Sequence, residues 1–329
     1  MIYIISEYVD PSTNHVIEWL RFYKVEFKRF NFFEEIFSNE NFSIEIKSNP
    51  SISFTTTKND CIWFRRSPQN IVNNLLKNEF KNNKELNTIE HIINTVSAKE
   101  SKSVFDSFFN KIRRGKHFSL GFYSRDFSKI EQLTLAEKCG LSIPMTSIIN
   151  NKKDLICFYK QNDSIIIKPL TEISFIYYSE KVLIPYTTKI DIDFINNLPD
   201  NFHPCLVQKC IQKEFEIRTF VMDGLLYSMA IFSQQNKQTE IDFRRYDIDN
   251  PNRRVPFKLP IEIENKILKF MNLANLNTGS IDIIYNNEDY YFLEINPVGQ
   301  FGMVSAPCRY NLEEKIANLL IKKQNEQSN

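Results

Sequence analysis

Short runs in which apolar and polar residues alternate occupy the first part of the chain, and one helical pattern interrupts them. The runs predict strands at Ile2–Ser6, Val25–Phe30, Phe42–Ile46, Ile52–Thr56 and Cys61–Arg65. Apolar residues three and four apart predict a helix at His15–Tyr23, between the first two strands. This order predicts a small α/β unit. From Thr88 to Lys116 the apolar spacing is again helical.

The middle of the chain combines a predicted helix with three predicted strands. Asp126 is expected to cap a helix that ends at Gly140, because a missing side chain suits a left-handed C-terminal cap. The run Ile165–Lys168 predicts a buried strand that ends in a cation. Two aromatic runs, Ile173–Tyr178 and Val182–Tyr186, are expected to pair as a hairpin.

The last third of the chain mixes predicted strands with predicted helices. Strands are expected at Cys205–Cys210, Glu216–Met222, Leu225–Phe232, Ser280–Tyr285 and Tyr290–Ile295. Helices are expected at Ile261–Asn272 and Leu312–Ile321. Hairpins beside helices predict an α+β fold rather than a doubly wound parallel sheet.

Length and charge narrow the class of protein. At 329 residues the chain is long enough for two or three domains. Its 41 basic and 40 acidic residues give a net charge of +1, which predicts no general attraction to nucleic acid or to an anionic membrane. No apolar stretch approaches the roughly 18 residues that span a bilayer, and the N-terminus lacks the basic start of a signal peptide. We therefore expect a cytoplasmic protein without a nucleic-acid or membrane partner.

The cysteines and glycines argue against several kinds of site. The six cysteines form no CxxC pair and have no histidine at metal-ligand spacing, so we expect reduced residues in the core. Only seven glycines are present, although average usage is about 7%. The sequence contains no GxGxxG and no GxxxxGK followed by Ser or Thr. These absences argue against a Rossmann dinucleotide site, a P-loop NTPase and a protein kinase.

Two carboxylates and an amide lie near the ends of two predicted neighbouring strands. Glu294 and Asn296 are two residues apart and share one face of a strand. A hairpin loop of three residues (287–289) or five (286–290) would place Asp282 opposite Glu294, whereas two or four would put them on opposite faces. In the first register, hard oxygen ligands meet and suit Mg²⁺ bound with substrate phosphates. The alternative is one buried carboxylate held by backbone donors and one exposed carboxylate.

Lys168 follows three isoleucines and precedes a proline. Its ammonium group is therefore expected to emerge from a core strand, where a phosphate would satisfy it. The alternative is a lysine that reaches the surface from a strand end.

The order of four segments resembles that of the ATP-grasp ligases. These segments are the strand ending in Lys168-Pro169, the stretch LVQKCIQKEFEIRTFVMDG, the DFRRYD segment and the pair SIDIIY and FLEINPVGQFG. The sequences IWFRR at Ile62–Arg66, DFRRYD and EINPVGQFGMVSAPC resemble ATP-grasp peptide maturases of the grasp-with-spasm type, which are relatives of the microviridin-type graspetide ligases. The resemblance covers nearly the whole chain. It implies an ATP-grasp fold with an N-terminal α/β domain (1–120), a central domain (121–204) and a C-terminal antiparallel-sheet domain (205–329).

The resemblance also implies a nucleotide site and a metal site. Lys129 and Lys168 would hold the phosphates of ATP, and Glu216 would hold the ribose. The adenine hinge would consist of Gln208, Lys209, Cys210 and Ile211. Mg²⁺ would be held by Asp282, Glu294 and Asn296. The alternatives are a surface lysine for Lys129 and an exposed strand carboxylate for Glu216.

The D-x-R motif of the family falls on Asp242 and Arg244. The resemblance implies that Arg244 grips an acyl-phosphate and that Asp242 orients or deprotonates the attacking group. Arg218 would be a further phosphate contact. An ordinary charged loop is the alternative for the motif, since Arg245 and Asp247 follow at once.

The segment after Lys168 departs from many ATP-grasp enzymes. Leu170–Tyr178 contains no glycine, which argues against a close likeness to the glutamate-adding ligases. In the microviridin-type ligases a hairpin in this region is implicated in holding the leader of the precursor peptide. The hairpin at about 172–190, and in particular Ile173–Tyr186, is therefore expected to bind a leader peptide. A lid that only covers ATP is the alternative.

The resemblance implies an ATP-dependent macrocyclase. Asp or Glu side chains of a ribosomal precursor peptide would be activated as acyl-phosphates and joined to Thr, Ser or Lys side chains as esters or amides. The alternative enzyme is a ligase that adds free glutamate or another amino acid to a peptide or protein. A scaffold without catalysis is disfavoured because Lys168, Asp282 and Glu294 are all present.

The basic stretch Lys111–Lys116 lacks the aromatic platform of an RNA site. Arg65 and Arg66 are candidates for binding peptide carboxylates, and a homodimer is left open.

Overall fold

The computed structural model describes most of the chain. The described residues are 1–31, 60–66, 92–93, 95–97, 99–100, 103–104, 106–107, 117–121, 127–170, 176–178, 181–183, 186–234, 239–242, 247–287 and 289–328. The predicted strands Phe42–Ile46 and Ile52–Thr56 and the basic stretch Lys111–Lys116 lie outside these residues. The described residues between 92 and 107 are helical, as predicted.

Strands and helices follow one another along the chain. The strands are β1 Ile2–Ile5, β2 Phe27–Phe30, β3 Cys61–Phe64, β4 Phe118–Leu120, β5 Thr146–Asn151, β6 Ile165–Lys168, β7 Ile176–Tyr178, β8 Lys181–Leu183, β9 Thr188–Ile190, β10 Asn201–Lys209, β11 Phe215–Met222, β12 Leu225–Phe232, β13 Arg253–Phe257, β14 Thr278–Asn286 and β15 Asp289–Asn296. The helices are α1 Pro11–Phe22, α2 Lys129–Lys138, α3 Lys152–Asn162, α4 Ile192–Asn196, α5 Ile261–Leu273, α6 Gly302–Cys308 and α7 Leu312–Ser328.

The chain falls into two compact units, and the first comprises residues 1–125 and 311–329. Its parallel sheet has the strand order β2-β1-β3-β4. All four residues of β3 are buried, as expected for a parallel strand covered on both faces. Helix α1 begins after Asp10, whose side chain accepts a hydrogen bond from Thr13 N, and it packs against α7. The predicted α/β arrangement therefore agrees with the described residues of this unit.

Two arginines of the first unit contact carboxylates of the same unit. Arg65 Nε lies 3.6 Å from Asp10 Oδ2, and Arg66 Nη1 lies 2.6 Å from Glu7 Oε1. Burial lowers the pKa of Arg65 to about 10, although Asp10 opposes this effect. The expectation that Arg65 binds a peptide carboxylate does not fit a side chain so fully buried against an acid of its own fold.

The second unit, residues 126–310, contains two antiparallel sheets. The small sheet has the order β5-β10-β6-β9, and the large sheet has the order β13-β12-β11-β14-β15. Strands β7 and β8 pair as a separate hairpin, as predicted. Antiparallel sheets beside helices confirm the predicted α+β content. The domain boundaries at residues 120 and 204 stay a prediction.

One face of the large sheet is apolar, and the other carries charged residues beside buried apolar ones. The apolar face shares a buried cluster with α2 and α5 that includes Leu133, Ile217, Ile267, Phe270, Ile281 and Phe292. Because side chains alternate along a strand, the residues between these strand positions point to the opposite face. On that face lie Glu216, Arg218 and Asp282, and this is the face on which the candidate site is built.

The N-cap of helix α2 lies two residues after the predicted cap, Asp126. Its N-cap is Ser128, whose Oγ accepts from Glu131 N while the Glu131 side chain accepts from Ser128 N. This reciprocal capping box satisfies two N–H groups, so the prediction of Asp126 as the cap is wrong. Asp126 itself lies outside the described residues. Gly140 follows the helix with a φ of +82°, as predicted.

The six cysteines are free thiols. Cys61, Cys139 and Cys308 are buried, Cys205 and Cys210 are partly buried, and Cys157 is exposed on α3. The prediction of a core residue is therefore wrong for Cys157, because its neighbours Leu155 and Phe158 occupy the buried face of that helix. No helix among the described residues has the length and apolar character to cross a membrane.

Candidate active site

Three charged residues form a row across neighbouring strands of the large sheet. Arg218 on β11 pairs with Asp282 on β14, and Asp282 pairs with Glu294 on β15. Directly paired residues lie on one face, with Cβ atoms about 5 Å apart. Arg218 Nη1 donates to Asp282 Oδ1 at 3.0 Å and to Oδ2 at 3.1 Å. The predicted pairing of Asp282 with Glu294 is confirmed.

A β-bulge, and not the predicted turn length, creates this register. Strand β14 ends at Asn286 and β15 begins at Asp289, so two residues connect them. That connection alone would pair Asp282 with Leu293 and turn Glu294 to the opposite face. However, Ile283 pairs with Phe292 while Asp282 pairs with Glu294, so Leu293 is an extra residue. The predicted loop of three or five residues is wrong, whereas the predicted position of the carboxylates is right.

Lys129 lies at the end of the row. Its Nζ atom lies 3.2 Å from Glu294 Oε2 and donates to Pro169 O at 3.1 Å. The two carboxylates therefore lie between two cations, Arg218 and Lys129, which offset the repulsion between the acids. The side chain of Lys129 is only 13% exposed, so the alternative of an ordinary surface lysine is wrong.

Asn296 and Ser280 extend the same face by one residue pair. Asn296 Oδ1 accepts from Val298 N at 3.0 Å. Ser280 Oγ and Arg218 Nε are buried, and no described residue hydrogen-bonds to either atom. Buried polar atoms are normally satisfied, so these two indicate a place where a ligand or water belongs.

The donor set on this face suits a hard divalent cation. Asp282 and Glu294 supply carboxylate oxygens, and Asn296 supplies an amide oxygen two residues beyond Glu294. Mg²⁺ prefers such ligands and usually shares its coordination with phosphates and water. Among the described residues, this site included, no group of three or more His, Cys, Asp and Glu side chains could hold a metal ion, so a cation here would depend on two carboxylates and an amide.

Lys168 and Gln208 share one face of the small sheet. Lys168 ends β6 opposite Leu206 of β10. Gln208 is two residues after Leu206 and lies opposite Ile166, which is two residues before Lys168. Lys168 is partly buried at the strand end, whereas only 1% of the Gln208 surface is exposed. The predicted strand at Ile165–Lys168 is confirmed.

The amide group of Gln208 has a defined orientation. Thr146 Oγ1 donates to Pro144 O at 2.7 Å, and a carbonyl cannot donate in return. The Thr146 hydroxyl therefore accepts from Gln208 Nε2, at 2.9 Å. This arrangement turns Gln208 Oε1 the other way, where it is a buried acceptor to which no described residue donates.

The predicted hinge follows Gln208 directly. Lys209 N donates to Met145 O at 2.9 Å, and Cys210 N donates to Ser164 O at 2.8 Å. Both N–H groups thus already donate hydrogen bonds within the protein, so an adenine base at the hinge would have to hydrogen-bond to other backbone groups. Ile211 follows, partly buried, before β11.

Glu216 is buried in an ion pair. It pairs with Lys213, and it accepts from Ser233 Oγ at 2.9 Å, with both contacts at Oε1. Burial raises the pKa of Glu216, and the nearby Lys213 opposes this effect only in part. The alternative of an exposed strand carboxylate is therefore wrong.

Only part of the predicted D-x-R motif falls on described residues. Asp242 is buried, and its Oδ2 accepts from Thr187 N at 3.4 Å. This burial argues against the alternative of an ordinary charged loop. Arg244 lies outside the described residues.

Sequence reasoning missed two glutamines around the row. Gln300 Oε1 accepts from Arg218 Nη2 at 3.4 Å, and Gln132 Oε1 accepts from Ile295 N at 2.9 Å. Gln300 lies within the quoted EINPVGQ segment, so its place in the motif was a usable signal. Gln132 lies one helical turn after Lys129, which places both on one face of α2.

Several solved structures resemble this chain, although no protein-family model and no curated protein matches it. A RiPP-associated ATP-grasp ligase from Chryseobacterium gregarium, in complex with ADP and a leader and core peptide, is 26% identical with a TM-score of 0.77. The match covers 98% of this chain and 96% of that one. Macrocyclase MdnC from Microcystis aeruginosa MRC, bound with precursor peptide MdnA, is 23% identical with a TM-score of 0.73, over 98% and 99% of the two chains.

A more distant match is D-alanine–D-alanine ligase from Bacillus anthracis, which is 14% identical with a TM-score of 0.54 over 99% of this chain and 97% of that one. Together these matches show the ATP-grasp fold that the sequence predicted. They also confirm the predicted resemblance to the ATP-grasp ligases of ribosomal peptide maturation.

Proposed function

We propose that this ATP-grasp chain is an ATP-dependent peptide ligase that crosslinks a ribosomally made precursor peptide. Asp or Glu side chains of the peptide become acyl-phosphates, and Thr, Ser or Lys side chains of the same peptide displace phosphate. The observation that carries the proposal is the charged row Arg218, Asp282, Glu294 and Lys129. It lies in a fold matched over nearly its whole length by ligases that were solved with precursor peptides.

Lys129 and Lys168 are proposed to hold the phosphates of ATP. Lys129 Nζ contacts the carbonyl oxygen of Pro169, the residue after Lys168, so the Lys129 ammonium group lies beside the end of β6. Each ammonium group offers three donors to phosphate oxygens. When Lys129 turns to phosphate, its ammonium group leaves Glu294 Oε2, which favours binding of a metal ion with the nucleotide.

Asp282, Glu294 and Asn296 are proposed to hold Mg²⁺. When bound, Mg²⁺ neutralises charge on the transferring phosphoryl group. Arg218 holds Asp282 through both carboxylate oxygens and thereby orients this ligand. The Nε atom of the same guanidinium group is buried and has no partner among the described residues. We therefore assign this donor to a phosphate or acyl-phosphate oxygen.

Gln208, Lys209, Cys210 and Ile211 are proposed as the adenine site. Because Thr146 fixes the Gln208 amide, Oε1 presents an acceptor on the face that also carries Lys168. An acceptor suits the exocyclic amine of adenine and repels the carbonyl oxygen found there in guanine or hypoxanthine. Glu216 is proposed for the ribose, with Oε2 as the acceptor because Oε1 already meets Lys213 and Ser233.

Asp242 and Arg244 are proposed to act on the bound peptide. Burial of Asp242 keeps its carboxylate poorly solvated, which suits a group that orients or deprotonates a hydroxyl or amine. Arg244 is proposed to stabilise the oxyanion that forms when this nucleophile attacks the acyl-phosphate.

The β7–β8 hairpin is proposed to hold the leader of the precursor peptide. It forms a sheet separate from its neighbours, and such strands can pair with an added peptide strand. A bound leader raises the local concentration of the reacting side chains. We further propose that the reaction takes place in the cytoplasm, where ATP and new peptides are both available.

Mass spectrometry of a short peptide encoded beside this gene tests the proposal. The peptide is incubated with the protein, ATP and Mg²⁺, and Glu294→Gln serves as the inactive control. Loss of whole water molecules, dependent on Glu294, is the expected result. An unchanged mass, or a gain of one amino-acid residue when free amino acids are supplied, would contradict crosslinking and favour an amino-acid ligase.

A further inference from the structure

We propose that Gln132 is a positioning residue that holds β15 in the bulged register and so keeps Glu294 on the face of Asp282. The inference rests on the proposed metal site and deepens it, because Gln132 acts through the strand and not on substrate. Its side chain lies between α2 and β15, beside the residue that separates Glu294 from Asn296.

The contact made by Gln132 is directional. The side chain is 6% exposed, and Nε2 donates to Phe127 O at 2.9 Å. Because that carbonyl can only accept, Oε1 is the atom that meets β15, where it accepts from Ile295 N at 2.9 Å. The amide is thus satisfied at both ends, and it recognises one backbone N–H.

The N–H groups of β15 that point away from β14 show which register the Gln132 contact stabilises. β15 is the last strand of the large sheet, and its Phe292 N–H points away from β14 and donates to Ser142 O at 2.8 Å. In a regular strand, the N–H groups on that edge occur at every second residue, so Glu294 would come next. Instead the Ile295 N–H meets Gln132, because the extra residue Leu293 reverses the alternation.

A competing register is compatible with the same turn. Without the bulge, the two connecting residues would place Leu293 opposite Asp282 and Glu294 opposite Ile281, which lies in the apolar core. In that register the N–H of Ile295 would face β14, and the buried Oε1 of Gln132 would lose its donor. The Ser142 contact precedes the bulge and is the same in both registers, so it does not discriminate between them.

Binding of Mn²⁺ in the presence of ADP, followed by electron paramagnetic resonance, tests the inference without using turnover. Gln132→Met, which keeps the volume and removes both polar ends, is expected to weaken Mn²⁺ binding at least about tenfold. Gln132→Glu keeps an acceptor for Ile295 N but loses the donor to Phe127 O, and it is expected to bind Mn²⁺ more tightly than Gln132→Met. Gln161→Met, an exposed glutamine on α3, is the matched control and is expected to bind normally.

Deletion of Leu293 gives a second test, in which a register defect and a general folding defect of Gln132→Met predict different results. Without this residue a regular hairpin already places Glu294 opposite Asp282, so the bulge no longer needs to be held. The double variant with Gln132→Met is therefore expected to bind Mn²⁺ more tightly than Gln132→Met alone. Equal losses in the two backgrounds would overturn the inference.

The outcomes separate this inference from the proposed function. If the wild-type protein binds Mn²⁺ with ADP and Gln132→Met binds equally well, Gln132 is structural only and the inference is overturned. A lower melting temperature with unchanged Mn²⁺ affinity would lead to the same conclusion. If the wild-type protein binds no Mn²⁺ with ADP, the proposed metal site itself is overturned, and the inference with it.

Discussion

Arg218 and Asp282 lie directly opposite each other on β11 and β14, and one guanidinium nitrogen contacts both oxygens of the carboxylate. The same guanidinium reaches Gln300 through Nη2, and its Nε is buried with no partner among the described residues. One side chain thus holds a proposed metal ligand and still presents a donor. This double role makes Arg218 the most informative residue to change.

We expect Arg218→Lys to lower the crosslinking rate by about 10²-fold. Lysine keeps the charge but cannot contact both Asp282 oxygens and also offer the donor now at Nε. The rate of water loss from the peptide, measured at saturating ATP by mass spectrometry, checks the prediction. Arg309→Lys, at an exposed position of the same unit, is the control. A comparable loss in both variants would contradict a specific role for Arg218.

We expect Thr146→Val to reduce the preference for ATP over ITP by up to about tenfold. Valine removes the acceptor that fixes the Gln208 amide, so the amide can turn and present either end to the base. Calorimetric titrations in which ATP or ITP displaces bound ADP give the two affinities, and their ratio is the preference. Thr146→Ser keeps the hydroxyl and should keep the wild-type ratio. An unchanged ratio in Thr146→Val would rule out this control of the base.

The sequence predicted the carboxylate pair but not the means by which it forms. From the residue count, a loop with an odd number of residues places Asp282 opposite Glu294, and a loop with an even number puts them on opposite faces. The odd number is favoured because it brings the metal-binding side chains together. Phe292-Leu293-Glu294 carries no glycine or turn residue to mark a bulge, and all three fit a regular strand. The chemistry of the site therefore predicted that Asp282 and Glu294 share one face of the sheet, but it did not predict the bulge that places them there.

Contacts distant in sequence escaped prediction for a different reason. Gln132 is 163 residues from Ile295, and its place beside β15 depends on how α2 packs against the large sheet. Lys213 and Glu216 are only three residues apart, but the ribose role predicted for Glu216 gave no reason to expect an ion pair with Lys213. Local patterns predicted the elements well, and tertiary packing decided which polar residues meet.

The buried carboxyl of Glu216 should make stability depend on pH. Burial raises its pKa above the ordinary value of 4.5, so its contribution to stability is fully present below that value and is lost as pH rises through the folded-state pKa. We expect the stability of the wild-type protein relative to Glu216→Gln to fall with rising pH. Urea unfolding between about pH 4 and 8 measures this difference.

Glu262→Gln, on the exposed first turn of α5, is the control for this pH series. The same urea series on this variant measures what removal of an exposed carboxylate of the same unit does to stability. A difference between wild type and Glu216→Gln that is constant, or that grows with pH, would contradict the raised pKa.

Alkylation of the native protein should distinguish two cysteines. Burial raises the pKa of Cys61 to about 12, so its thiolate is scarce at neutral pH, whereas Cys157 is exposed. We expect iodoacetamide at neutral pH to modify Cys157 and to leave Cys61 unmodified until the protein is denatured. Peptide mapping by mass spectrometry gives the result. Early modification of Cys61 would mean that the parallel sheet opens readily.

The bulge at Leu293 also has an evolutionary consequence. A turn of three residues without a bulge and a turn of two residues with one place Asp282 and Glu294 in the same register. An insertion at the tip of the hairpin can thus be compensated by loss of the bulge within the strand. Relatives of this protein can differ by one residue in the turn and keep the same active site, so an alignment gap here belongs to the hairpin as a whole.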